Sequence, residues 1–378
     1  MDFDFSEQAL ALQRLVRRFV EDELMPLEKE VGDRWELTDD QERELDGRAT
    51  AIGLKSIDVP AEYGGAGFTT VENCLVKEEL GKTTTPYGFP GSVSNILYAC
   101  NDEQKERFLF PCIRGEKRAF FAQTEPNGGS DPASMETSAV RDGDDWILNG
   151  RKIFITAAHK SDFGQVLTVS DKEKRSHGGI TCFLVEQGTP GFEVVRRIPV
   201  MGREWPCELA FIDCRVPSRN ILGEPGQGFI LGQKWLSAND RLGQGPTAVG
   251  LSERCLKLAT AYSKQRVTFG RPIAERQAIQ WMLADSAVEI HACRMMTYYG
   301  AWKADQGGDI RIEASMVRLY ATEMQQRIVD RCLQIHGAIG LTDDLPLARM
   351  YRHVRSFRIT GGSSEIQRFI IARWVLRD

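Results

Sequence analysis

The chain has 378 residues, 42% of them hydrophobic and 27% charged, enough to bury a large core and too balanced for a disordered or fibrous protein. A formal net charge of −5 and a pI near 5.8 leave no global positive field for nucleic acid or an anionic membrane, so any anion must be held locally. Charges interrupt every apolar stretch before the roughly 18–20 residues of a membrane span, and nine cysteines with no CxxC pair and no secretory leader read as reduced, mostly buried thiols of a cytoplasmic enzyme.

From Ser6 to Glu30 the apolar residues Leu10, Leu15, Val16, Phe19, Val20 and Leu24 recur at steps of three and four, which predicts an amphipathic helix. Further helices are expected to about Gly115, interrupted by PAEYGGAG at 60–67, whose glycines and proline require a turn. From Ala119 to about Val216 the texture changes to short β-branched and aromatic runs such as AFFAQT, KIFIT, ITCFLV and LAFIDCRV, broken by Gly, Asn and Asp. That pattern predicts an antiparallel sheet or small barrel. Helical periodicity returns near 226–261, 274–305, 310–336 and 363–376.

Helices, then strands, then helices in strict series predict an α+β protein with segregated parts: an N-terminal helical domain over 1–117, a middle β domain over 118–222 and a C-terminal helical bundle over 223–378. An alternating Rossmann sheet is not expected, because Gly64, Gly65 and Gly67 have no parallel strand order around them. The histidines at 159, 177, 291, 336 and 353 never fall at HxH or HExxH spacing, and no metal site is expected.

Five stretches carry the chemistry. In AQTEPNGGSD at 122–131 a strand runs into a Gly-Gly turn, whose freed amides and the hydroxyls of Thr124 and Ser130 suit a flavin edge or a phosphate, or form an ordinary hairpin. KIFIT at 152–156 is a second strand ending in an aromatic ring and a hydroxyl. RVTFGRPIAERQAIQ at 266–280 puts Arg266 at a helix end beside a Thr-Phe-Gly turn. QIHGAIGL at 334–341 and ITGGSSEIQR at 359–368 each set a Gly turn beside polar side chains, the latter running into a helix N-terminus suited to anions.

In this order, and with PAEYGGAG and the MGRE segment at 201–204, these stretches make the whole chain resemble the acyl-CoA dehydrogenase family. The resemblance implies FAD lying between a middle β domain and a C-terminal four-helix domain and reaching a neighbouring subunit. It implies that Phe121, Gln123 and Thr124 line the flavin, that Ser130 lies near pyrophosphate and thioester, and that Phe154, Ile155 and Thr156 cover the isoalloxazine, Phe154 standing where Trp is commoner. Arg266, Thr268, Phe269, Gln277, Gln334 and Gly337 would serve the dinucleotide, some from the partner subunit, with Ser363, Ser364 and Glu365 closing over the adenosine end. His336 is a further candidate near the cofactor, with packing the blander role. A homotetramer built as a dimer of dimers, an acyl-CoA thioester substrate and electron-transfer flavoprotein as redox partner follow from the same likeness.

The family's reaction takes the α-proton of an acyl-CoA with a carboxylate while a β-hydride passes to flavin N5. Many members carry that base as a Glu in the last loop, where this chain has Gly361, followed by Gly362. Other members place the Glu on a helix directly before an Arg, and the matching stretch here, SANDRLGQG at 237–245, has Asp240 before Arg241. Asp240 is therefore expected to be the base, with Arg241 supporting it, ahead of Glu365, which matches a cofactor-side position. Ser130, Asn239, Arg241, Gly361 and Gly362 are the expected substrate contacts. The missing methylene withdraws the carboxylate by about 1 Å, a displacement that can cost about a hundredfold in rate, and members with an Asp or displaced base include enzymes for cyclic acyl-CoA. A branched, cyclic or bulky acyl group is expected. A reductase running in the enoyl-CoA to acyl-CoA direction, a catalytically silent FAD- or acyl-CoA-binding subunit, and a carrier-protein thioester remain open. Gly243, Gly245 and Pro246 within a helix would cost about 1 kcal/mol per Gly and about 3 for Pro, which predicts either a kink after Asp240 or a new helix starting there.

Overall fold

The computed structural model describes residues 4–236 and 241–377. Ser6 caps α1 (Glu7–Phe19), its Oγ accepting from the Ala9 amide at 3.1 Å, and the helix buries Leu12, Val16 and Phe19. It widens into a π turn over Val20–Leu24 before the short α2 (Glu28–Val31). Capping boxes then open α3 (Asp39–Ala51), through Thr38 and Gln41, and α4 (Thr70–Leu80), through Thr69 and Glu72. Between them PAEYGGAG makes one 3-10 turn, Ala61–Tyr63, and folds back so closely that a β-carbon on Gly65 would overlap the Val59 carbonyl.

Beyond α4 the expected run of helices is interrupted. Pro86 and Pro90 withhold donors and restrict the residues before them, and 81–94 forms turns and extended chain. Helix resumes only as α5 (Asp102–Gln104) and α6 (Phe110–Ile113), joined by a π turn over Lys105–Leu109.

The middle block is a seven-stranded sheet of β1 (Ala119–Ala122), β2 (Ser138–Asp142), β3 (Asp145–Ile155), β4 (Phe163–Val169), β5 (Ile180–Glu186), β6 (Phe192–Arg197) and β7 (Cys207–Pro217), in the order β1-β4-β2-β3-β7-β6 with β5 on β4. The β2–β3–β7–β6 and β4–β5 ladders are antiparallel, as the alternation predicts. β1 is the exception and pairs parallel with β4, Ala119 opposite Phe163, because the β2–β3 hairpin is inserted between the two in sequence. One parallel pair, Ser138 with Val169, joins β2 to β4. Phe183, Leu209, Phe211 and Ile155 fill one face. On the other, Phe163 and Leu184 join Phe108 and Leu109 of the first block in a shared core, the Phe108 and Phe163 rings 4.8 Å apart.

The last block holds α7 (Gly228–Trp235), α8 (Gln244–Gln265), the two-strand ribbon β8 (Val267–Thr268) and β9 (Arg271–Pro272), α9 (Gln277–Asp305), α10 (Arg311–His336), α11 (Leu347–Arg355) and α12 (Ser364–Val375). α10 packs against α8, α9 and α12, completing the expected four-helix bundle around Val249, Ile290, Met324 and Ile328. Arg241 and Leu242 are π-helical and Gly243 keeps a right-handed helical conformation before α8 begins at Gln244, with Pro246 in its first turn, where proline is tolerated.

α4 and α8 cross in direct backbone contact. A β-carbon on Gly81 would overlap the Thr247 carbonyl, and one on Gly250 the Glu78 carbonyl. Two buried ion pairs fasten the first block to the last: Arg254 grips Glu28 in a fork of 2.6 and 2.8 Å, and Arg294 reaches Glu78 at 2.9 Å. All nine cysteines are buried and reduced, and burial pushes the Cys74, Cys100, Cys112 and Cys293 thiols up to about 12.

Candidate functional site

Two β segments expected at the flavin are fastened side by side. The Ile153 amide donates to the Thr124 carbonyl at 2.9 Å, joining the end of β3 to the stretch that carries Gln123, Thr124 and Ser130. Phe121 stacks on Trp235 of α7 with centroids 4.5 Å apart, and a β-carbon on Gly232 would press on Gln123 Oε1. The 127–130 turn stands at the surface with Ser130 exposed. A register shift between Lys152 and Ile155 throws the end of β3 out of the ladder, with Phe154 at φ 58° and its ring 55% exposed. Such a bulge re-aims a side chain. Thr156 is exposed beside it. Ile155 differs from the expectation, since its side chain is only 3% exposed and turns into the sheet core, leaving its backbone alone to face a ligand.

A second group gathers at one end of the bundle. Arg266 ends α8, Thr268 and the 97% exposed ring of Phe269 project on the β8–β9 ribbon, and Gln277 opens α9, exposed. Gln334 is exposed in the last turn of α10, and Gly337 follows with a left-handed φ of 63°. The Tyr262 and His336 rings stack at 4.5 Å, tying the ends of α8 and α10 together. His336 is buried and its Nδ1 donates to the Cys332 carbonyl, 2.7 Å away, as in a packing histidine.

The last loop lies at the other end. Arg318, 1% exposed near the start of α10, donates to the carbonyls of Phe357, at 3.2 Å, and of Thr360. Arg203 of the MGRE segment donates to Thr360 Oγ1 at 3.2 Å and covers the Phe357 ring. The loop thus held presents Gly361 and Gly362 at φ 66° and 93°. Ser363 caps α12, and Glu365 is exposed, its carboxyl held below the ordinary value by its own backbone amide and the Ser363 hydroxyl. Arg318 and Gln334 are sixteen residues apart on one helix, about 24 Å at 1.5 Å per residue, so this loop and the Gln334 end cannot meet the same part of one ligand.

Asp240 and Asn239 lie outside the described residues. Arg241 beside them is buried, 6% exposed. A cavity of about 320 Å³ opens close by, walled by the end of α4, the 83–87 segment, the start of α8 and the approach to the last loop.

The residues present fit FAD. A surface turn with the exposed Ser130, an outward aromatic ring at Phe154 and the buried Gln367 Oε1 beside the last loop, without a partner among the described residues, supply the donor, stacking and acceptor surfaces a flavin dinucleotide needs.

Two features escaped the motif reading. Lys152, 0% exposed, bonds the Gln123 carbonyl at 3.1 Å and Glu125 at 2.8 Å, while Glu125 accepts from the Glu136 and Thr137 amides. Period-two counting from the buried Leu148 puts 150 and 152 on the inner face, the signal that could have found it. Glu36, His159 and Glu204 bring three possible metal ligands within 4.8 Å although far apart in sequence. Lys160 and Arg197 already pair with these carboxylates, Arg197 with Glu36 at 2.5 Å, so the cluster holds its own cations.

Residues 6–116, 120–214 and 226–376 match family models described as the N-terminal, middle and C-terminal domains of acyl-CoA dehydrogenase. The chain is 34% identical over 387 residues to the acryloyl-CoA reductase (NADH) of Anaerotignum propionicum, covering 100% of this chain and 96% of that protein. It is 34% identical over 397 residues to the (R)-benzylsuccinyl-CoA dehydrogenase of Thauera aromatica, covering 100% and 98%. The solved butyryl-CoA dehydrogenase of Megasphaera elsdenii superposes with a TM-score of 0.90 at 32% identity, covering 100% of both chains.

Proposed function

The chain belongs to the acyl-CoA dehydrogenase family, and from that premise we propose that it oxidises a branched, cyclic or bulky acyl-CoA between Cα and Cβ with Asp240 as base. Membership makes it an FAD-dependent oxidoreductase acting on acyl-CoA. When bound, FAD supplies the acceptor for the β-hydride.

The observation that carries the reading is the last loop. Gly361, where many relatives keep their base, has no side chain; Arg318 holds the backbone before it and Arg203 the Thr360 hydroxyl. That leaves Asp240, adjacent to the buried Arg241, as the carboxylate in a family base position. A guanidinium neighbour keeps such a carboxyl ionised in the free enzyme, and desolvation by the substrate raises its basicity. Gly361 and Gly362 put no side chain beside the reacting carbons, which supports a branch or ring there. The 122–131 turn and the Phe154 bulge are the flavin wall, and the Arg266, Phe269, Gln277 and Gln334 end serves the dinucleotide of a neighbouring subunit. What supports this is the distance of about 24 Å along α10 and the 97% exposed Phe269. A homotetramer and an electron-transfer flavoprotein partner belong to the same proposal.

The test is anaerobic flavin bleaching by straight, branched and cyclic acyl-CoA thioesters, in the wild type and in Asp240→Asn. Bleaching by branched or cyclic members that vanishes in the variant, with FAD retained, is the expected outcome. Full bleaching by Asp240→Asn would remove the base assignment. The reductive direction is favoured by the likeness to an acryloyl-CoA reductase, and the flavin potential with and without substrate decides between the two.

A further inference from the structure

We propose that the acyl group ends in a carboxylate, and that Lys77 and Gln244 bind it. The inference rests on the acyl-CoA reading above and names the substrate class within it.

The cavity of about 320 Å³ is placed to receive the far end of an acyl group. Gly243 is in its wall and stands three residues from Asp240, so their Cα atoms are within about 11 Å at 3.8 Å per step. Phe357, also in the wall, precedes the Thr360–Gly361 corner by a few residues. An acyl chain whose α-carbon meets these two elements has this chamber within reach of its distal end.

Most of the polar side chains in the wall are committed elsewhere. The Thr83 and Thr84 hydroxyls donate to Glu28 at 2.9 and 3.2 Å, and Thr85 donates to the Leu24 carbonyl at 2.7 Å. Tyr87 is bonded to Asp46 at 3.0 Å and Thr247 to the Gly243 carbonyl at 3.1 Å. His353 spends Nδ1 on the Gly202 carbonyl at 2.8 Å, and burial depresses it to about 4, so it is neutral.

Two donors are left. Gln244, 6% exposed, lines the chamber, and its Nε2 meets no acceptor among the described residues. Lys77, half-buried in the last turn of α4, has no carboxylate within 4 Å among the described residues, whereas Lys82 nearby is tied to Glu79 at 2.5 Å. An ammonium and an amide in the wall of one chamber select an anion, because charge-assisted hydrogen bonds are the strong ones. An apolar tail would strip water from both donors and return nothing.

The experiment uses the full-length FAD-loaded protein. Dissociation constants are read from the anaerobic flavin spectrum for two matched pairs: glutaryl-CoA against pentanoyl-CoA, and 4-carboxycyclohexane-carboxyl-CoA against cyclohexane-carboxyl-CoA. In at least one pair the carboxylate is expected to bind about tenfold tighter, equivalent to about 1.4 kcal/mol. Lys77→Met should abolish that preference with little change for the neutral member, and Lys77→Glu should invert it. Gln244→Met gives an independent variant should the lysine variants fail to fold, and it should reduce the preference. Equal or tighter binding of the neutral members, or a Lys77→Met effect common to both members, overturns the proposal while leaving the acyl-CoA reading intact. Failure of every thioester to perturb the flavin overturns both.

Discussion

The Lys152 ammonium lies 2.8 Å from the Glu125 carboxylate, with 0% and 4% of the two side chains exposed. The pair stitches β3 to the 123–137 stretch, since Lys152 also holds the Gln123 carbonyl and Glu125 the Glu136 and Thr137 amides. With the Ile153–Thr124 hydrogen bond, this pair holds the two proposed walls of the flavin site together.

Lys152→Met should therefore cost about 3–5 kcal/mol, the usual penalty for leaving one partner of a buried pair uncompensated. FAD retention should fall with stability. Urea unfolding and the flavin-to-protein absorbance ratio after gel filtration check both, and a variant as stable and as yellow as the wild type would show that the stitch is dispensable.

Acid should loosen the join between the first and last blocks. Burial pushes the Glu28 carboxyl up, but the Arg254 fork and the Thr84 and Thr83 donors outweigh it and hold the group below its ordinary 4.5. A folded value below the unfolded one means that the unfolded chain binds the proton first. The stabilisation is thus complete above the ordinary carboxylate range and is lost as pH falls through the lowered value. Arg254→Met removes the fork, so this acid-labile contribution should be missing from the variant: its stability deficit relative to the wild type, read by urea unfolding, should be largest above the carboxylate range and shrink as pH falls through it.

Gly361→Glu in an Asp240→Ala background should restore part of the flavin bleaching by straight-chain acyl-CoA. The new side chain would sit at a φ of 66°, a left-handed conformation costing about 1–2 kcal/mol, so thermal stability should drop modestly in the same protein. Absence of any bleaching in a folded, FAD-loaded double variant would mean that a carboxylate on this loop cannot reach the substrate.

The α4–α8 crossing should not accept a methyl group. Gly250→Ala places its β-carbon on the Glu78 carbonyl, and overpacking of this kind costs about 1–3 kcal/mol. Gly47→Ala, mid-α3 with nothing near its β-carbon, is the control and should stabilise by about 0.5–1 kcal/mol. Equal urea midpoints for the two variants would contradict the packing argument.

Periodicity sufficed for the succession of helical, β and helical blocks, because each apolar stripe of three to five turns repeats often enough to be counted. It failed at 81–94, where Pro86 and Pro90 override an otherwise helical neighbourhood, and at β1, whose parallel partner β4 follows only after the inserted β2–β3 hairpin. In the site, turns with glycine were legible because left-handed φ restricts the residue type. Phe154 was legible only by likeness: nothing in KIFIT announces that the strand bulges there. Lys152 and Glu125 went unread because a lysine in a strand is ordinarily solvated, and only strict alternation argues otherwise.

The close approach of Gly81 to Thr247 and of Gly250 to Glu78 has a consequence for redesign. No residue is smaller than glycine, so the two helices cannot be drawn closer to tighten the chamber, and any larger residue wedges them apart along their whole length. Selectivity can be retuned smoothly only from the opposite wall, the proline-interrupted stretch around Thr83 and Tyr87, where irregular backbone tolerates changes of length that a helix would transmit. Library variation confined to that stretch would sample pocket shapes while leaving the scaffold's stability nearly constant.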